Sequence, residues 1–324
     1  MGSRTTLAAL LLGAVPLIGP PSMTAPAPTA EPPVTAGTSA TAGSAVTHAT
    51  ATHVTARKIA YAKRARRWQL VLDDGEVRDV PEALVKAPAD AANAGDPVPF
   101  QLSGDGRHFF YYRRSDGRFV ERTLDSAERV VDSSLTVGGL NEQWTTVSAD
   151  GAYVVIETSG PGIWMVDLRT GKELRPTDEA DGYLVGFSPD QQRLLLASYA
   201  RDQVTVYDRR LRTWTRLKTR VTPHALAGDY VTAVVLVYRK GRYRELQLLD
   251  LRTGRTTAPV TVRLPHGRYV KDVDFDGAGH LIVRSDTPAE ITYYQVSAVT
   301  GEAKRLRTIG RPRKDRVLPG DNGR

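Results

Sequence analysis

Ser148-Ala149-Asp150-Gly151, Val154-Val155-Ile156-Glu157 and Val166-Asp167-Leu168-Arg169-Thr170-Gly171-Lys172 follow one another in a single stretch, and each has counterparts elsewhere in the chain. The first is a small turn marked by aspartate. It recurs as Ser103-Gly104-Asp105-Gly106, Ser188-Pro189-Asp190-Gln191, Ala227-Gly228-Asp229-Tyr230 and Asp274-Phe275-Asp276-Gly277. Aligning aspartates 105, 150, 190, 229 and 276 gives intervals of 45, 40, 39 and 47 residues. Self-similarity at such a period marks a repeat architecture, in which each unit buries its faces against its neighbours.

With that register, Leu102, Val147, Phe187, Leu226 and Val273 each stand three residues before the aspartate. After it come Phe109-Phe110-Tyr111-Tyr112, Val154-Val155-Ile156-Glu157, Leu194-Leu195-Leu196-Ala197, Ala233-Val234-Val235-Leu236 and His280-Leu281-Ile282-Val283. Short β-branched or aromatic runs bounded by turn residues predict buried strands. The third piece returns as Leu249-Asp250-Leu251-Arg252-Thr253-Gly254-Arg255, with degenerate copies around Asp208, Thr300-Gly301, Asp125 and Asp73-Asp74-Gly75. A glycine just past an alternating strand supplies the positive φ of a tight hairpin. Two hairpins per unit mean four antiparallel strands per unit. A lone four-stranded sheet cannot bury both faces, but a ring of them can.

The expectation is an all-β propeller over residues 55–309, with six four-stranded blades, or seven. This pattern resembles the TolB-like and WD-repeat-like propellers, whose blades carry a Ser-Pro-Asp-Gly turn and a later Asp-Leu-x-Thr-Gly turn. The resemblance implies a fold and says almost nothing about activity. The first unit, Lys58-Ile59-Ala60-Tyr61 and Trp68-Gln69-Leu70-Val71-Leu72, has no Asp-Gly turn before it. Its missing strand would come from residues 48–56 or from the C-terminal segment.

The flanks read as address and tether. Arg4 and the apolar run Leu7 to Gly19, broken by Pro16, suit a signal peptide over residues 1–30 and are too short to span a bilayer. Residues 31–54, rich in Ala, Thr and Pro, read as a flexible linker, and 310–324 as a disordered basic tail. Hence the expected location is secreted or at the cell surface, with association with the cell envelope open and a monomer expected. The 324 residues carry a net charge of +8 and no cysteine, which excludes disulfides, thiol nucleophiles and thiolate metal sites. The charge biases the chain toward anionic partners.

Antiparallel connections alternate between the two ends of a blade, so the tight Asp-Gly and Thr-Gly turns share one face. The opposite face collects the longer loops, where binding residues usually lie. Candidates there are Arg113, Arg114, Arg201, Arg239, Lys240, Arg242 and Arg284, with His224, His266, Arg268 and Lys271 on blade connections; Glu142, Asp178, Glu179 and Asp181 form an acidic sector. The competing reading is a solvated, arginine-rich surface. Asp272-Val273-Asp274-Phe275-Asp276-Gly277 matches the start of a calcium loop, but its twelfth position is Val283 instead of a bidentate glutamate. A structural turn is the simpler reading, leaving Asp272, Asp274 and Asp276 as weak metal candidates. The histidines show no HExxH spacing, and no Gly-x-Ser-x-Gly elbow occurs. The four tryptophans, 68, 144, 164 and 214, read as blade-packing residues.

Lys63-Arg64-Ala65-Arg66-Arg67 and Arg311-Pro312-Arg313-Lys314-Asp315-Arg316 are the densest basic runs. In an exported protein they suit anionic headgroups or wall polymers better than nucleic acid. The functional expectation is a non-catalytic binding or scaffolding propeller with no cofactor, engaging a protein or anionic ligand through its loop-rich face. The alternative is a propeller enzyme, of hydrolase or lyase type, with its site at the channel mouth.

Overall fold

The computed structural model describes residues 57–159, 162–176, 182–239, 241–310 and 315–320. The expected signal peptide and linker, 1–54, lie outside them. Within the unit Val54–Arg324 the described strands form six four-stranded antiparallel sheets, the predicted blades. Among the described residues there is no α-helix, only a 3-10 turn at Val137–Gly139.

Blade 1 contains β1 (Ile59–Arg64), β2 (Trp68–Leu72) and β3 (Val77–Val80). Blade 2 comprises β4 (Phe100–Leu102), β5 (His108–Tyr112), β6 (Phe119–Thr123) and β7 (Arg129–Val130). Blade 3 is β8 (Gln143–Val147), β9 (Tyr153–Thr158), β10 (Ile163–Asp167) and β11 (Lys172–Leu174). Blade 4 is β12 (Tyr183–Phe187), β13 (Arg193–Ser198), β14 (Gln203–Asp208) and β15 (Thr213–Lys218). Blade 5 is β16 (Ala225–Leu226), β17 (Thr232–Arg239), β18 (Arg242–Asp250) and β19 (Val260–Thr261). Blade 6 is β20 (Asp272–Phe275), β21 (Leu281–Asp286), β22 (Glu290–Val296) and β23 (Ala303–Gly310). The last strand, β24 (Arg316–Val317), pairs with β1 and completes blade 1. The ring therefore closes from the C-terminal segment, one of the two sources expected for the missing strand, and Arg316–Val317 form a strand where the sequence suggested a disordered tail. Blade 1 has no Asp-Gly turn because its inner strand arrives from the far end of the chain.

The aspartate turns lie on one rim. Ser103, Ser148 and Ser188 each donate their hydroxyl to the aspartate two residues on, at 2.6, 2.7 and 2.6 Å. That carboxylate also accepts a backbone N–H two residues further along, so side chains hold the corner before the strand begins. Neighbouring corners touch: the Asp105 N–H donates to the Ala149 carbonyl at 2.9 Å, the Ala149 N–H to Gln191 Oε1 at 2.9 Å, and the Tyr230 hydroxyl to Asp190. The fifth corner departs from the expected register. The Asp276 N–H donates to the His280 carbonyl and its own carbonyl accepts from Gly279, so Asp276 stands in the place of Ser103 and Gly279 in the place of Gly106. Phe275, and not Val273, is thus the counterpart of Leu102.

The core is divided among the blade interfaces. Separate apolar clusters join blades 1 and 2 (Leu70, Leu72, Phe100, Tyr111), 2 and 3 (Phe110, Phe119, Val154, Ile156), and 3 and 4 (Tyr153, Met165, Leu194, Leu196). Two more join blades 4 and 5 (Leu195, Val206, Val235, Leu249) and 5 and 6 (Val234, Leu246, Val273, Val283). Each such side chain contributes about 1.5–3 kcal/mol on burial. No comparable cluster among the described residues joins blade 6 to blade 1. The other face of blade 6 carries Asp272, Asp274, Ile282, Arg284, Asp286, Tyr293 and Gln295, cross-strand partners of one another or of Ile291. Trp68 and Trp164 pack inside as expected, but Trp144 and Trp214 are 51% and 55% exposed, correcting their assignment to blade packing. Trp144 lies near the start of β8 at the ring's mouth, and Trp214 lies on the outer strand β15, where no further strand covers it among the described residues.

Candidate functional site: the loop-side mouth

The tight corners crowd one face, and the other carries hairpin tips such as 65–67, 113–118 and 199–202 together with the blade connections. The longest of these, 81–99, runs from β3 to β4. It delivers Pro97, Val98 and Pro99 to the loop-side mouth of the ring, where the starts of β4, β8 and β12 meet the end of β1. There a pocket of about 610 Å³ is lined by Arg64, Trp68, Phe100, Gln101, Tyr112, Gln143, Trp144, Glu157 and Tyr183, among others. Trp68 donates its indole N–H to the Leu84 carbonyl at 3.0 Å and stacks on Phe100 at 4.7 Å, which fixes the floor.

Gln101 is 5% exposed and donates its amide to the Thr145 carbonyl and hydroxyl, both at 2.9 Å. Its Oε1 and that of Gln143 are buried with no partner among the described residues. Such a carbonyl is costly unless something donates to it. Glu157, also buried, accepts the Leu184 N–H at 2.7 Å, tying blade 3 to blade 4. On the rim, Tyr183 stacks with Tyr199 at 4.9 Å, and Tyr199 is 70% exposed. Half-exposed rings beside buried amides make a surface that accepts a ligand with one apolar face and several hydroxyl or N–H donors.

Deeper in the channel lies a second cavity of about 320 Å³, whose walls include Gln191, His224, Asp272, Asp274, Arg284 and Tyr293. Asp274 faces the channel, but protein atoms crowd it. That desolvation, with Asp272 adding repulsion, pushes its carboxyl up to about 6. His224 Nδ1 accepts the Leu236 N–H at 3.3 Å, and burial holds the ring below its usual range. Arg284 forks onto Asp286 at 3.0 and 3.1 Å. Asp276 does not join its two neighbours: its carboxylate accepts the Ala278 and His280 N–H groups in the corner. No group of three or more metal-ligating side chains converges among the described residues.

The expected basic rim is scattered. Arg113 is bound to Asp116 at 2.5 Å and Glu128 at 3.1 Å, while Arg114 beside it is exposed. Arg201 sits on the 199–202 hairpin of blade 4. Arg239 pairs with Glu245 at 3.5 Å, and Lys271 is exposed. Arg242, His266 and Arg268 do come together, in a groove of about 400 Å³ beside the 262–271 connection. There Arg268 is bound to Glu290 and to Thr292, and Arg242 lies over Tyr269. Lys240 and the acidic residues Asp178, Glu179 and Asp181 lie outside the described residues; Glu142 donates its N–H to Gly139 and accepts from Ser159 on its carbonyl. Residues 101, 143, 144 and 183 were not among the sequence candidates. The unusual length of 81–99 was the available sign of a built mouth.

Neither a protein-family model nor a curated protein sequence matches the chain. Among solved structures it is similar to TolB from Acinetobacter baumannii, at 19% identity and a TM-score of 0.42, over 81% of this chain and 66% of that one. It is also similar to Kuenenia stuttgartiensis hydrazine synthase, at 18% identity and a TM-score of 0.39, over 64% of each chain. The chain thus spans just under two thirds of the length of these proteins. The fold assignment, a six-bladed propeller, stands on the strand pairing itself. No helix among the described residues is long and apolar enough to cross a membrane.

Proposed function

We propose that this chain is an exported, non-catalytic binding propeller whose ligand seats in the pocket at the loop-side mouth. The observation that carries the reading is the pocket's construction: a fixed Trp68–Phe100 floor, the half-exposed Trp144 ring, and the buried Gln101 amide. Shape and polarity there suit recognition, and the pocket needs no reacting group for that purpose. Ligand titration followed by tryptophan fluorescence tests it. Binding should perturb the indole signal, and Trp144→Ala should weaken it about tenfold or more, as loss of a stacked ring does. A ligand bound equally well by Trp144→Ala would place recognition elsewhere.

The second reading, an enzyme acting in the channel, is favoured by one feature. Asp274, with a carboxyl near 6, shares the cavity wall with Asp272 and His224. A carboxyl that holds its proton near neutrality is the group a general acid requires. Turnover that is abolished by Asp274→Asn and left intact by Trp144→Ala would favour this reading over the first.

A further inference from the structure

The basic run Lys63–Arg67 meets Arg316, the last residue of the second basic run, in one ladder. β24 pairs with β1 so that Lys63 stands opposite Arg316 and Ala62 opposite Val317. Cross-strand partners share a face, so Lys63 and Arg316 project together, with Arg316 lying over the Tyr61 ring at 4.9 Å. Arg64 points to the opposite face, opposite Trp68, and lines the mouth pocket. Arg66 and Arg67 sit at the hairpin tip between the two faces, both exposed. The loop side of blade 1 is therefore a basic corner that wraps around to the pocket's edge.

Little of this charge is neutralised. Arg67 meets Asp79 at 3.2 Å, and Asp315 stands next to Arg316 in sequence. For Lys63, Arg64 and Arg66, no carboxylate among the described residues lies within ion-pair distance. By contrast Arg113, Arg212 and Arg284 are each bound to a neighbouring carboxylate. Unpaired guanidinium groups keep their forked donors for an external anion. The adjoining pocket adds the Trp144 ring and the unpartnered carbonyls of Gln101 and Gln143. A sugar ring lays its apolar face on an indole and directs hydroxyls at amide carbonyls, while its anionic substituents reach the arginines. A bilayer surface would engage the corner and leave the pocket empty.

We infer that the mouth pocket and the basic corner of blade 1 together bind a polyanionic glycan. This deepens the mouth-pocket reading and rests on it. The test is titration of the full chain with hyaluronate and with chondroitin sulfate, alongside neutral dextran and phosphatidylglycerol vesicles. The expected result is binding to at least one charged polymer. It should weaken about tenfold or more between about 50 and about 500 mM NaCl, since exposed charges are screened over that range. The triple variant Lys63→Ser, Arg66→Ser, Arg67→Ser should weaken it at least about tenfold at low salt. Circular dichroism on the variant confirms that it is folded. Trp144→Ala should weaken binding independently. Binding by neither polymer overturns the inference, as does attachment to the vesicles alone or equal affinity for dextran. If a neutral ligand binds and is lost with Trp144→Ala but not with the triple variant, the pocket reading survives and the polyanion falls.

Discussion

Gly301 shows how closely one blade seats on the next. It closes the last hairpin of blade 6 at φ 72°, and its carbonyl accepts the Arg263 N–H from the connection after β19 at 2.8 Å. A Cβ there would lie 1.9 Å from the Thr261 carbonyl oxygen, a clash with backbone that no rotamer relieves. Gly171 has the same left-handed conformation at φ 70°, but open space around it. Gly171→Ala should therefore cost only the conformational strain, about 1–2 kcal/mol. Gly301→Ala should cost about 3 kcal/mol or more, because the two blades must part. Urea melts of both variants check the difference. Asp274 offers a test through pH. Its folded-state value near 6 lies above the ordinary 3.8, so the folded chain holds this proton more tightly than the unfolded chain does. Stability from this group is present below about pH 4 and is lost as pH rises toward 6. Asp274→Asn should raise the melting temperature at pH 7 and leave it unchanged near pH 4. A gain of equal size at both values would mean that charge is not the cause.

Strand β24 has two residues in its ladder, yet it supplies the inner position of blade 1. Replacing the register partners Ala62 and Val317 by cysteine would join them in a chain that has no other thiol. Such a bridge closes nearly the whole ring into one loop, for which chain entropy alone gives about 5–6 kcal/mol. Thermal melts under oxidising and reducing conditions should differ by several degrees in the double variant and not in the parent. The blades were legible in the sequence because Leu194-Leu195-Leu196-Ala197 and Val154-Val155-Ile156 are apolar on both faces, as strands between two neighbours must be. β24 was legible only in part: the C-terminal segment was one of two sources expected for the missing strand, but Arg316-Val317 within a basic segment carries no strand signal of its own and is recruited by the open edge of β1. The offset of Asp276 was also hidden: Asp-Gly at 276–277 mimics the corner, while the residue that takes the positive φ is Gly279. The mouth pocket was hidden because Gln101 comes from β4 and Gln143 and Trp144 from β8, and they acquire meaning only when blades 2 and 3 stand side by side.

Among the described residues five blade interfaces hold an apolar cluster, while the face of blade 6 away from blade 5 carries Arg284, Asp286, Tyr293 and Gln295. The alternation Leu281-Ile282-Val283-Arg284-Ser285-Asp286 is the sequence trace of that difference, one face apolar and the other polar. A ring is as stable as its weakest junction, so opening should start there. Native-state hydrogen exchange should show the amides of β1, β20 and β24 exchanging faster than those of β9 and β13, which lie between two apolar interfaces. Uniform protection around the ring would contradict this. The same asymmetry places the basic corner of blade 1 beside the loosest junction of the molecule.

Because the innermost strand of the first blade is drawn from residues 316–317, a growing polypeptide cannot finish that blade while the other five are being assembled. Until those late residues arrive, the free margin of Ile59–Arg64 stays exposed to water and to other chains. The ring thus commits to its final form only after residue 317 has been synthesised, and a chaperone that holds it open until then would need to mask little more than one strand.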